Sequence, residues 1–147
     1  RSWCVDMYLK QATRTYEIYS TDIDETKGIQ VYLNRQDNKL TIRINNVVYF
    51  SEAGTYGNSK FSSVNWKHLA LCRETGAEYR VYVDGDNIGS FADVEDTTSS
   101  DEYFYLGPAG KRSSIVDAYI MSICQPRVTV DTPLFYGSRI TPPGPYQ

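Results

Sequence analysis

The stretch Trp66–Phe91, WKHLALCRETGAEYRVYVDGDNIGSF, decides the fold. Trp66 to Arg73 alternates and is rich in apolar residues, which predicts a strand. Glu74-Thr75-Gly76 predicts a turn, and Tyr79-Arg80-Val81-Tyr82-Val83 alternates again. Asp84-Gly85 follows, a two-residue hairpin signal, because such a turn needs positive φ and Gly supplies it without steric cost. Ile88 to Phe91 returns as a third strand. Three antiparallel strands in succession build one face of a β-sandwich, with Trp66 expected in its core.

The same pattern extends in both directions. Upstream, strands are predicted at Trp3–Lys10, Thr15–Ser20, Ile29–Leu33, Leu40–Ile44 and Val47–Phe50, with turns at Asn38-Lys39 and Asn45-Asn46. In the first of these Trp3, Val5, Met7 and Leu9 share one face, and Cys4, Asp6, Tyr8 and Lys10 the other. Ser51–Lys60 reads as a loop carrying Gly54, Gly57 and Asn58, and Asp93–Asp101 as an acidic, Ser/Thr-rich loop. Downstream, strands are predicted at Tyr103–Leu106 and Ile115–Ile123. The Pro-rich segment beyond Gln125 is expected to be irregular or edge-packed. No helical period of useful length appears. About ten short strands at turn spacing point to an all-β, antiparallel, two-sheet sandwich.

The 147 residues fit one domain, able to bury roughly 68–70% of its unfolded surface. The reading divides it into a sandwich over 1–130 and a tail over 131–147. A net charge of −3 without a basic stripe argues against nucleic acid. No apolar run approaches the roughly 20 residues of a membrane helix. Thirteen Tyr against two Met is a strand-and-surface composition. Cys4, Cys72 and Cys124 are too few and too scattered for a disulfide framework, so buried free thiols and a reducing compartment are expected. The chain opens at Arg1 without a signal-like segment, which reads as a processed chain, a fragment or the ordered part of something longer.

Several motifs in order resemble laminin-G-like domains of the concanavalin A-like jelly-roll class. Trp66-Lys67-His68-Leu69-Ala70 is similar to the family's Trp-x-His-(apolar)-Ala, and Tyr82-Val83-Asp84-Gly85 to its Tyr-(apolar)-Asp-Gly. Trp3–Lys10 resembles an early strand, Tyr103–Gly107 a later one, and Val116-Asp117-Ala118-Tyr119 the closing one. Pro126–Thr129 with Ile140–Tyr146 resembles a tail frequent in such domains of bacteriophage and other virus particle proteins. One early family strand is absent, and Ile120 or Met121 stands where the closing strand usually carries Arg. The resemblance places the first long strand antiparallel beside the closing strand, which would bring Cys4 and Cys124 within conceivable reach of each other.

Catalytic signals are weak. A glycosidase needs two carboxylates about 5–10 Å apart on a cleft. Asp22, Asp24 and Glu25, like Glu95, Asp96, Asp101 and Glu102, sit in polar stretches that read as solvated loops. His68 is the single histidine and is expected to be structural. Calcium is the conceivable cofactor, through oxygen ligands from Asp93, Glu95, Asp96 and Asp101. Sugar platforms would be Tyr56, Tyr103 and Tyr105. Leu134, Phe135, Tyr136, Ile140 and Tyr146 are too apolar for a solvated terminus and are expected to pack on the domain or a neighbour. The resemblance implies a non-enzymatic structural or adhesive part of a virus particle, partnered by virion proteins or copies of itself. The alternative is an extracellular lectin-like module that binds host-surface glycans.

Overall fold

A computed structural model describes residues 1–11, 17–22, 26–33, 39–52, 65–94, 105–106 and 121–131. Ten strands run through them: β1 Trp3–Gln11, β2 Glu17–Ser20, β3 Ile29–Leu33, β4 Leu40–Ile44, β5 Val47–Glu52, β6 Lys67–Glu74, β7 Glu78–Val83, β8 Asp86–Ala92, β9 Tyr105–Leu106 and β10 Met121–Val130. They form two five-stranded antiparallel sheets, in the orders β10-β1-β6-β7-β8 and β5-β4-β3-β2-β9. The chain divides into two compact units that follow this partition.

In the first unit the expected three-strand succession is β6, β7 and β8. Ala77 N–H donates to the Glu74 carbonyl at 3.0 Å across the first turn, and Gly76 takes φ 78°. Asp84 and Gly85 take φ 50° and 91°, the two left-handed residues that a tight hairpin requires. Val5, Met7, Leu9, Leu69, Leu71, Tyr79, Val81 and Val83 alternate onto one buried face of β1, β6 and β7. Tyr79 stacks on Phe91, with ring centroids 4.8 Å apart, and meets Trp3 edge-on at 5.8 Å. The opposite face is buried too, but it is polar: Cys4, Asp6, Tyr8, His68, Arg80 and Tyr82.

Two expectations are corrected here. Cys4 and Cys72 are not free thiols: they are cross-strand partners of β1 and β6 and form a disulfide that does not include Cys124. The closing strand does run antiparallel beside β1; its described part is Met121–Val130, which continues past the expected end at Ile123, while 115–120 lie outside the described residues. Cys124 therefore faces Tyr8, and Cys4 faces Thr129, which separates the two sulfurs that the resemblance brought together. The register steps between Asp6 and Tyr8, so Gln125 and Pro126 both oppose Met7. Gln125 adopts φ 48° at this bulge. A bulge on a terminal strand is where a residue without an N–H can pass.

In the second unit β4 and β5 join through Asn45 and Asn46, both at positive φ. Asn45 also caps the start of β3: its N–H donates to the Gly28 carbonyl and its Oδ1 accepts from Gly28 N–H, each at 3.0 Å. Ile29, Val31, Ile42, Ile44 and Phe50 supply the buried apolar face.

Candidate functional site

Strand alternation gives the second sheet a polar face as well. Gln30 and Tyr32 project opposite to Ile29 and Val31, and Thr41 and Arg43 opposite to Ile42 and Ile44. The register then assembles a row. Tyr105 of β9 lies across from Ser20 of β2, Ser20 from Gln30 of β3, and Gln30 from Arg43 of β4. A second row, Glu17, Tyr32 and Thr41, runs beside it. Glu17 joins because the β2–β3 register steps by one residue between Glu17 and Tyr19.

The floor of this face is polar and buried, with Glu17, Ser20, Gln30 and Thr41 all at 2% exposure or less. Tyr32, Arg43 and Tyr105 are half-buried. Arg43 Nε donates to Gln30 Oε1 at 2.6 Å, and its guanidinium lies 5.6 Å from the centroid of the Tyr32 ring. Gln30 Nε2 and Ser20 Oγ are buried without a hydrogen-bond partner among the described residues. Such groups cost about 1–3 kcal/mol each when left unmade, so proteins keep few of them. Half-buried phenol rings beside a guanidinium are chemistry that binds polyhydroxylated rings.

The polar face of the first sheet differs, because its charges are already satisfied. Asp6 Oδ1 accepts from Arg127 Nε at 2.9 Å, and Oδ2 accepts from Arg127 Nη2 at 2.9 Å and meets His68 Nε2 at 2.8 Å. Burial pulls the Asp6 carboxyl upward, but the His68 and Arg127 hydrogen bonds outweigh it and hold the group below its ordinary range. This cluster ties β10, β1 and β6 together and leaves neither carboxylate oxygen open to a substrate. His68 has the structural place expected of it. Arg127, which lay beyond the expected end of the closing strand at Ile123, is on β10 and pairs with Asp6.

Of the residues singled out in the sequence, Tyr105 stands in the polar row. Tyr56, Tyr103, Glu95, Asp96, Asp101, Leu134, Phe135, Tyr136, Ile140 and Tyr146 lie outside the described residues. Asp93 is described, and it is engaged. It accepts from Arg73 Nε at 2.6 Å, from Arg73 Nη2 at 3.1 Å and from Gly76 N–H at 2.8 Å. The Arg73 hydrogen bonds, against some desolvation, lower its carboxyl. Among the described residues no group of three His, Cys, Asp or Glu side chains is placed to hold a metal. Asp22 was expected in a solvated loop and is instead fully buried. Trp66 was expected in the core and is instead half-buried, with the Lys10 ammonium 5.8 Å from its ring centroid. Ser20, Gln30 and Arg43 drew no attention in the sequence, because single polar residues in short strands look the same whether they face solvent or a binding face.

Residues 1–122 match the family model of the concanavalin A-like lectin/glucanases superfamily, and the chain belongs to that family. Its class is therefore the all-β, two-sheet antiparallel jelly roll. No curated protein sequence matches it. Among solved structures it is similar to the botulinum neurotoxin serotype D binding domain, with TM-score 0.60, 14% identity and coverage of 86% of this chain and 32% of that one. The receptor binding domain of the botulinum neurotoxin C/D mosaic serotype gives the same four values. A structure of botulinum neurotoxin type C, whose cell entry is described as dependent on two ganglioside molecules, gives TM-score 0.55, 12% identity and coverage of 86% and 32%. The chain thus spans about a third of the length of each.

Proposed function

We propose that this member of the concanavalin A-like superfamily is a non-enzymatic, lectin-like module that binds glycans on the polar face of its β5-β4-β3-β2-β9 sheet. The observation that carries the reading is the Tyr105–Ser20–Gln30–Arg43 row, in which Gln30 Nε2 and Ser20 Oγ are buried and, among the described residues, unsatisfied. The half-buried Tyr32, Arg43 and Tyr105 are the groups of this face that a sugar can reach, the rings for its apolar side and the guanidinium for its hydroxyls, while the buried Gln30 beneath them holds Arg43 in place. Cleavage is disfavoured because, among the described strand residues, Glu17 is the one carboxylate on this face, whereas glycoside hydrolysis needs two. The neurotoxin binding domains share the fold, and the ganglioside dependence of the type C toxin makes host-surface glycans the first ligands to try. The Cys4–Cys72 bond supports an extracellular setting over a reducing one. The test is calorimetric titration with a panel of oligosaccharides. Tyr105→Ala and Gln30→Leu should each weaken binding at least about tenfold, equivalent to about 1.4 kcal/mol, with melting temperature as the folding control. Binding that is indifferent to both substitutions would sink the proposal.

A second reading, a structural part of a virus particle, draws on one observation. Val47, Val48 and Tyr49 are 40–52% exposed on β5, which ends its sheet among the described strands. Apolar strand edges invite pairing with another chain. A calcium requirement stays attached to either reading as a proposal, tested by titration in the presence of a chelator.

A further inference from the structure

The described arginines differ in one respect. Arg73 holds Asp93, Arg80 holds Glu74 and Glu78, Arg127 holds Asp6, and Arg1 reaches Asp131. Arg43 has no carboxylate partner among the described residues. Its contacts are the Nε bond to Gln30 Oε1 and the Tyr32 ring. Those two contacts fix the plane of the guanidinium and, among the described residues, leave its two terminal nitrogens uncommitted. Arg43 is half-buried, and the floor beside it is Gln30 at 1% exposure, its amide nitrogen unpartnered among the described residues. A positioned, partly desolvated guanidinium fork is the group that recognises an oxyanion through two parallel hydrogen bonds.

We infer that this face selects acidic glycans, in which a sugar carboxylate or sulfate ester is taken by Arg43 while the sugar ring packs on the half-buried Tyr32 and Tyr105. The inference rests on the glycan-binding reading above and adds the ligand's charge to it. The acid on the same face fits this orientation. Glu17 is on β2, two strands from Arg43 on β4, and strands lie roughly 4.8 Å apart, so the two backbones are about 10 Å from each other. A bound acidic sugar would place its anion over β4 and its neutral ring toward β2 and Tyr105. Lower local dielectric strengthens the Arg43 contact over that of a fully solvated pair.

The experiment titrates the full chain with three ligands built on one disaccharide: lactose, sialyllactose and sulfated lactose. Both acidic ligands, or one of them, should bind at least about tenfold tighter than lactose at low salt, and the margin should narrow as ionic strength rises. In Arg43→Gln the ratio of acidic to neutral affinity should fall to near one. In Arg43→Lys, which keeps the charge but not the fork, the ratio should lie between the two. A sialyl preference without a sulfate preference identifies a carboxylate site, and the reverse identifies a sulfate site. Equal affinity of the wild type for neutral and acidic ligands, with sensitivity to Tyr105→Ala, overturns the charge inference and leaves the glycan reading standing. An acidic preference that survives in Arg43→Gln overturns the assignment of the residue. No binding of any of the three, or binding unaffected by Tyr105→Ala, overturns the glycan reading itself.

Discussion

Two residues test the local arguments most sharply. Gly28 takes φ 65°, and a Cβ placed there would stand 2.5 Å from Thr21 Oγ1 and 3.2 Å from Asp22 Cβ. Thr21 Oγ1 cannot simply swing away, because it accepts from Ile29 N–H at 2.9 Å. Gly28→Ala should therefore combine backbone strain with a lost hydrogen bond, at about 2–4 kcal/mol. Chemical denaturation that shows a change under ~1 kcal/mol would contradict the geometry. Asp6 is the second case. Removing its charge strands His68 and Arg127, and breaking a buried pair costs roughly 3–5 kcal/mol. Arg127 is 45% exposed on its side chain, so water recovers part of that, and about 2–4 kcal/mol is expected for Asp6→Asn. The pH dependence follows from the sign of the shift. The folded carboxyl lies below its ordinary value of 3.8, so its stabilisation is complete above that value. It is lost as pH falls through the depressed folded value. The wild type should lose stability steeply below about pH 4, and Asp6→Asn should show a shallower acid limb. Parallel acid limbs in the two proteins would mean that Asp6 is not the group responsible.

At the scale of elements, the strands were readable wherever turn chemistry punctuates them. Asp84-Gly85, Asn45-Asn46 and Thr75-Gly76 mark their hairpins in the sequence, because so few residues tolerate positive φ. That β10 runs on past Ile123 was missed for an equally physical reason. Pro126 reads as a stop, yet here it sits in a bulge on the terminal strand, where its missing N–H costs no ladder bond. The disulfide was missed because its partners are 68 residues apart, and only the β1–β6 register makes them neighbours. That separation gives the bond its weight. Closing a loop of this length removes about 4 kcal/mol of unfolded-state entropy in the chain-entropy account. Cys4→Ala with Cys72→Ala, or reduction of the wild type, should lower the unfolding free energy by 2–4 kcal/mol. An unchanged denaturation midpoint under reducing conditions would show that the two sulfurs are not joined in solution.

For the whole molecule, the polar row shows why a binding face hides in a sequence. Tyr105 was visible as an aromatic beside an acidic loop. Gln30 and Arg43 acquire meaning only when four strands from distant segments align and when burial is known. The β5 edge poses the complementary question, whether the molecule works alone. Native sheets usually blunt such edges with charge or proline, and β5 carries no proline and a single charged residue, Glu52, at its very end. With Val47 and Val48 each at 52% exposure, the chain should self-associate in a concentration-dependent way, seen by sedimentation velocity. Val47→Lys is the substitution of choice, because Val47 pairs with Ile44, whereas Val48 lies opposite Arg43 in the glycan row. A lysine there puts like charges close together in any edge-to-edge pair and should shift the population to monomer. Its effect on glycan affinity should be small if the edge and the face act separately. A wild type that stays monomeric up to its solubility limit would remove β5 as an interface and, with it, the support for the particle-component reading. A monomeric Val47→Lys that has also lost glycan binding would instead mean that the face is completed by a second copy.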